Sequence, residues 1–222
     1  GQEFKNAPEI IKKCLLSWKL NNPSWNIIEL NDKNLNKYIN IQEKIPNITK
    51  KSITKAAYSD IIRIFLLEKY GGCWCDATTF CNKSLDDWLN KNTSTGFFGF
   101  DKPAKDRLIS SWFLYADKDN YIIKKWKEKT ILYWNNHDKA HTYFWFHYLF
   151  GNLYTSDERF QEIWDLTPKI SAQPDPHYIQ REGLLNTLSR NVENHINEVI
   201  TPVYKLTYKY NKQKYNKNCN LS

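Results

Sequence analysis

Apolar residues recur at helical spacing in the longer stretches of this chain and at strand spacing in the shorter ones. Ile10, Ile11, Cys14, Leu15 and Trp18 form one helical stripe. Asn6 is its expected cap, with Pro8 in the first turn and Glu9 three residues after the cap. Asn21, Asn22 and Pro23 stop it. Residues 25–30 read as a short strand, and Asn31 with Asp32 as a turn into a small helix. Residues 50–70 carry the clearest helical pattern, closed by Gly71 and Gly72. Residues 73–80 read as a strand, apolar at its start and interrupted by Asp76. Residues 96–100 and 109–115 follow as strands, and 120–134 and 142–153 as helices. Residues 165–185 read as loop with short turns, and 203–208 as a last strand. Helices alternating with strands predict a layered α/β domain. No repeat or low-complexity linker divides the chain. A single domain over residues 1–222 is therefore expected, ending in a basic segment over 205–222.

Composition narrows the picture. A chain of 222 residues with 41% hydrophobic positions has enough apolar surface for one substantial core, which excludes a disordered chain. Aromatic residues reach 15%, including nine Trp and fourteen Tyr. That excess suits either sugar binding, where a pyranose C–H face meets a ring, or an aromatic-rich core. The net charge of +8 favours anionic partners, and part of it lies at Lys205, Lys209, Lys212, Lys214 and Lys217. The five cysteines, Cys14, Cys73, Cys75, Cys81 and Cys219, make neither a disulfide framework nor a paired zinc pattern, so reduced thiols of a cytosolic protein are expected. No signal peptide is expected and the sequence has no long apolar run, and in a cytosolic protein the glycosylation triplets at Asn47, Asn92 and Asn220 carry no meaning.

The chemistry gathers between Ser59 and Thr78. Asp60 and Arg63 are three apart and share a helix face with Ala56, Ala57, Ile64 and Leu67. Opposite charges on an apolar face are unfavourable unless they pair or bind a ligand. An ion pair that satisfies itself and a ligand-binding pair both fit. Asp76 follows an apolar run, where a buried strand should end, and open α/β sheets bind ligands beyond the carboxyl ends of their strands. A carboxylate there can hold a divalent ion against a diphosphate, or serve only the turn.

The pattern of Ser59, Asp60, Arg63, Leu67, Gly71, Gly72, Asp76, Ala77 and Thr78 closely resembles the capsular polysaccharide synthesis protein family. Stretches at 6–10, 105–113, 143–150, 168–172 and 202–209 extend the likeness over nearly the whole chain. The resemblance implies a GT-A-like, Rossmann-type nucleotide-sugar-binding domain, related to initiating mannosyltransferases and glucosylating toxins. Relatives open on an apolar strand that forms part of the base pocket, and here that first strand is expected to be missing. Asp60 and Arg63 would contact the donor sugar and the region near its phosphates. Asp76 matches the first Asp of the D-x-D element, beside Ala77, and Thr78 stands in place of the second. Mn²⁺ or Mg²⁺ is the implied cofactor, held by Asp76 and His177, with the loss of one carboxylate at Thr78 weakening that hold. Lys205 and Lys209 would neutralise the departing diphosphate.

The implied activity is transfer of a hexose from a nucleotide sugar, a UDP-sugar favoured, to an oligosaccharide or lipid-linked glycan acceptor. It serves capsular or other surface polysaccharide synthesis and proceeds with retention. No dedicated protein nucleophile is expected; the acceptor hydroxyl attacks from the front face, assisted by the departing phosphate oxygen. Ser111 and Trp112 end a strand-like run and either face the acceptor or pack in the core. His147 reads as a core histidine in an apolar helix, and Asp86 and Asp87 as caps of a short helix at Trp88. The expected location is cytoplasmic, with peripheral contact at the acidic inner face of the membrane. The alternative is a non-catalytic glycan- or nucleotide-sugar-binding module of the same fold. The basic residues are scattered and no nucleic-acid-binding signature is present, so a nucleic-acid partner is not expected.

Overall fold

The computed structural model describes residues 4–209 and Cys219. Lys212, Lys214, Lys217 and Asn220 lie outside the described residues. In chain order the elements are α1 (Glu9–Asn21), α2 (Leu35–Tyr38), α3 (Lys55–Tyr70), β1 (Gly72–Cys75), β2 (Thr79–Cys81), α4 (Leu85–Trp88), β3 (Phe97–Ala104) and β4 (Arg107–Ala116). There follow α5 (Tyr121–Asn136), α6 (Trp145–Ser156), α7 (Glu158–Leu166), α8 (Tyr178–Glu182), α9 (Arg190–Asn197) and β5 (Val203–Lys205). The chain is mixed α/β, as its pattern predicts. It divides into two compact units, each assembled from separated stretches.

One unit holds residues 32–74 and 92–170. Its centre is the antiparallel β3–β4 hairpin, the outer part of a three-stranded sheet ordered β1-β4-β3. Helix α6 packs on β4, and α5 on α3. An aromatic lattice fills the space between. Trp126 stacks on Phe146 at 4.0 Å, and Phe150 meets Phe160 and Trp164 edge-on at 4.8 and 5.0 Å. The tryptophans of this unit are thus largely core, burying large areas with specific ring geometry. His147, beside Phe144 and Phe146, is half-buried in the same helix.

The other unit is built from residues at or below 31, from 75–91 and from 171 onward. Its two-stranded sheet pairs β2 with β5 in antiparallel register, Thr79 opposite Lys205 and Cys81 opposite Val203. Helix α1 packs on β2. Ile10, Cys14, Ile179, Leu184, Val192, Tyr204, Leu206 and Cys219 form its core. None of the five cysteines forms a disulfide. Burial pushes the Cys14 thiol up to about 12 and that of Cys81 to about 11, which keeps both protonated at neutral pH.

Several boundaries differ from the sequence expectations. Pro8, not Asn6, holds the cap position of α1, and its carbonyl accepts from Ile11 N at 2.9 Å. Residues 25–30 form no strand; none of them is buried, so no sheet face selects a register. Helix α3 begins at Lys55 because the Thr54 hydroxyl accepts from Ala57 N at 3.2 Å, while residues 48–50 form a separate 3-10 turn. The strand expected over 73–80 is two strands in different sheets, broken at Asp76. Two helices escaped the pattern reading: α7, capped by Asp157, and α9, capped by Ser189. Asp86 does not cap α4. Its carboxylate instead accepts from the Ser24 hydroxyl at 3.0 Å and the Trp25 indole N–H at 2.9 Å.

Candidate functional site

The residues singled out from the sequence fall into two groups, one in each unit. In the first, α3 carries Asp60 and Arg63 one turn apart. Arg63 Nη1 lies 2.9 Å from Asp60 Oδ1 and also donates to the Ser111 carbonyl at 2.7 Å. Its Nη2 donates to the Ser59 hydroxyl at 3.1 Å, and its guanidinium sits 5.2 Å from the centre of the Trp74 ring. The two side chains are only 5% and 10% exposed. The guanidinium thus ties the helix to β4 while neutralising Asp60, and the planar fork of Arg suits that task better than a lysine would. Ser111 takes part through its backbone. Trp112 stacks on Phe100 at 4.5 Å, and both Ser111 and Trp112 are buried.

The second group surrounds Asp76. The chain leaves β1 at Cys75 and turns at once. The Asp76 carbonyl accepts from Thr79 N at 2.9 Å and from Thr79 Oγ1 at 2.7 Å. That turn starts β2 and leaves Ala77 exposed, with Thr78 buried. The Thr78 carbonyl accepts from Leu206 N at 2.8 Å, and Trp18 Nε1–H donates to the Thr79 carbonyl at 2.8 Å. These bonds fix the turn against β5. Lys205, on β5, then reaches back across the ladder: its ammonium donates to Asp76 Oδ2 at 2.9 Å and to Thr78 Oγ1 at 2.7 Å. Lys209, four residues on, is exposed.

His177 belongs to the same unit, at the end of a 3-10 turn over Asp175–His177. Burial pushes its pKa below the ordinary histidine value, and the nearby charges of Lys205 and Arg181 push the same way; a bond to Gln180 opposes them in part. The imidazole is therefore neutral at neutral pH.

A further cluster, absent from the sequence reading, steadies β5 next to Lys205. The Tyr204 hydroxyl donates to the His195 carbonyl at 2.9 Å, which leaves its oxygen to accept from His195 Nδ1 at 2.7 Å. His195 Nε2 lies 3.5 Å from Asp175, and its ring stacks on Tyr178 at 4.1 Å. No local pattern announces this cluster, because its members come from four elements and meet only in the fold.

The side chains gathered at Asp76 are few for a resident divalent metal. A protein-built metal site needs several oxygen ligands. Here the motif supplies one carboxylate and one hydroxyl, and the same ammonium occupies both. Among the described residues, no group of three or more His, Cys, Asp or Glu is placed to hold a metal ion. No described helix is long and apolar enough to cross a membrane.

Comparison with known proteins adds an independent line. The family described as capsular polysaccharide synthesis protein matches residues 1–221. The O-glycosyltransferase braB of Annulohypoxylon truncatum is 24% identical over 143 residues, which cover 56% of this chain and 34% of that protein. The chain thus spans about a third of the length of that relative. No solved structure matches the chain.

Proposed function

The chain belongs to the capsular polysaccharide synthesis family, and on that premise we propose that it is a glycosyltransferase moving a hexose from a nucleotide sugar, a UDP-sugar favoured, to a glycan acceptor with retention. The fold we assign to the reaction is GT-A-like. The observation that carries the reading is the Lys205 ammonium held by Asp76 and Thr78 at the turn after β1, on the residues that match the family's donor motif. The likeness to an O-glycosyltransferase supports the same reaction class.

The chemistry asks for charge at one place above all. As the bond between the sugar's anomeric carbon and the phosphate oxygen breaks, negative charge grows on the nucleoside diphosphate. The acceptor hydroxyl forms the new carbon–oxygen bond on the same face, and its proton passes to the departing phosphate oxygen. A fixed cation beside that oxygen stabilises the transition state more than the bound donor. Lys205 supplies it, with Lys209 as an exposed second charge. Asp60 and Arg63 take the role the family likeness gives them, contact with the donor sugar, and their mutual pairing holds them in one geometry. The reaction is placed in the cytoplasm, with the net positive charge drawing the protein to acidic lipid and a lipid-linked acceptor.

A panel of nucleotide sugars tests this. A donor that binds the native state raises the melting temperature, and the purified chain should hydrolyse the same donor slowly in the absence of acceptor. Asp76→Asn should abolish turnover with an unchanged circular dichroism spectrum, since a half-buried turn carboxylate adds little to the core. Binding with no turnover for any donor or acceptor would favour the non-catalytic sugar-binding alternative. If no nucleotide sugar binds, the transferase reading fails.

A further inference from the structure

We propose that Lys205 takes the place of the divalent cation, so that this chain binds the diphosphate of its donor without metal. The inference rests on the transferase reading and deepens it.

The argument begins with charge. A motif with two carboxylates balances a dication. The motif here has one carboxylate, Asp76, and a neutral hydroxyl at Thr78. A monocation balances it, and a monocation is what the fold delivers. The Lys205 ammonium sits at hydrogen-bond distance from both motif side chains, 2.9 Å from Asp76 Oδ2 and 2.7 Å from Thr78 Oγ1. The single motif carboxylate and the lysine on β5 thus balance each other in charge. A metal ion entering the same oxygens would have to displace the ammonium or face it at contact distance.

Geometry fixes the cation as firmly as metal ligands would. Lys205 is paired across the ladder with Thr79, the first residue after the motif. The Leu206 N–H bonds to the Thr78 carbonyl on one side, and Tyr204 is tied to His195 on the other. The Lys205 side chain is 18% exposed, so its charge is partly desolvated yet still reachable. An ammonium has three N–H donors. Two are taken by the motif, and the third has no protein partner among the described residues. A phosphate oxygen arriving there completes the set with a charge-assisted bond. The exposed Lys209 adds charge without competing for the motif.

Calorimetric titration of UDP and GDP into the full chain separates the cases, with parallel runs in excess EDTA and in Mn²⁺. Wild-type protein should bind a nucleoside diphosphate in EDTA, with less than a roughly threefold gain from Mn²⁺, since the charge is already supplied. Lys205→Met should lose roughly tenfold or more of the EDTA affinity, as expected for one charge-assisted hydrogen bond. Mn²⁺ should recover part of that loss, because the ammonium no longer competes for the Asp76 carboxylate. Lys205→Arg keeps the charge and should still bind in EDTA. Wild-type binding that depends on Mn²⁺ overturns the proposal, whatever the variants do. So does a folded Lys205→Met variant that binds in EDTA as well as wild type. Should neither diphosphate bind wild type under either condition, the transferase reading itself falls, and this inference with it.

Discussion

Arg63 shows how much one side chain can hold. Its guanidinium bonds Asp60, Ser59 and the Ser111 carbonyl inside a nearly closed site. Arg63→Ala removes the guanidinium from beside a buried carboxylate, and breaking such a pair costs about 3–5 kcal/mol. Urea unfolding should show that loss. The double variant Asp60→Asn with Arg63→Met should regain part of the stability and none of the activity; a loss under about 1 kcal/mol for Arg63→Ala would mean the pair is not structural. His177 offers a second residue-scale test. Its folded pKa is depressed by burial, so the unfolded chain binds the extra proton first. Its stability contribution is present above the ordinary value near 6.5 and is lost as the pH falls from there to its folded pKa. Between about pH 7.5 and about pH 5.5, unfolding midpoints should fall less steeply for His177→Gln than for wild type. An equal slope in both would place His177 in solvent. At this scale the sequence was legible where partners are neighbours. Asp60 and Arg63 are readable because three residues of helix bring side chains together. The bond from Lys205 to Asp76 is not, because its partners lie 129 residues apart.

At the scale of elements, α3 and its two glycines argue the point. Gly71 has φ +69°, and a Cβ there would lie 2.7 Å from Lys118 N and 3.0 Å from the Ala116 carbonyl oxygen. Gly72 has φ +83° with nothing within 4 Å of that position. Both dislike a side chain for backbone reasons, at about 1 kcal/mol each, but only Gly71 meets backbone atoms that cannot step aside. Gly71→Ala should therefore destabilise clearly more than Gly72→Ala in the same urea series. Equal effects would show that β4 yields to the intruding methyl. The helix end was legible because glycine at a helix terminus is a local signal. The start was not, since one hydroxyl, Thr54, decides it against an apolar pattern running on from residue 50. The break at Asp76 divides what alternation alone joins: β1 and β2 read as one strand because side-chain period is blind to which sheet each half enters. Helix α9 has few apolar residues to mark it, and its cap, Ser189, is the signal that would have found it.

At the scale of the whole chain, each compact unit owns a core, yet neither is one continuous stretch. A fragment ending at residue 170 keeps every stretch of the unit built on the β3–β4 hairpin. It loses six of the eight core residues that α1 packs among. Hydrogen exchange on that fragment should show protected amides in β4, α5 and α6 and unprotected ones in α1; protection of α1 would mean that its core forms without α8, α9 and β5. The antiparallel pairing of β2 with β5 has a further consequence, in time rather than space. Thr79 meets Lys205 only after the chain between them has been made, and closing a loop of that length costs about 4 kcal/mol from its logarithmic term alone. Synthesis runs from the N-terminus, so Asp76 leaves the ribosome long before its cation exists. A chain stopped before Lys205 therefore carries the carboxylate without the ammonium and, on the proposed reading, lacks the cation that seats a diphosphate. On the proposed reading, competence waits for β5.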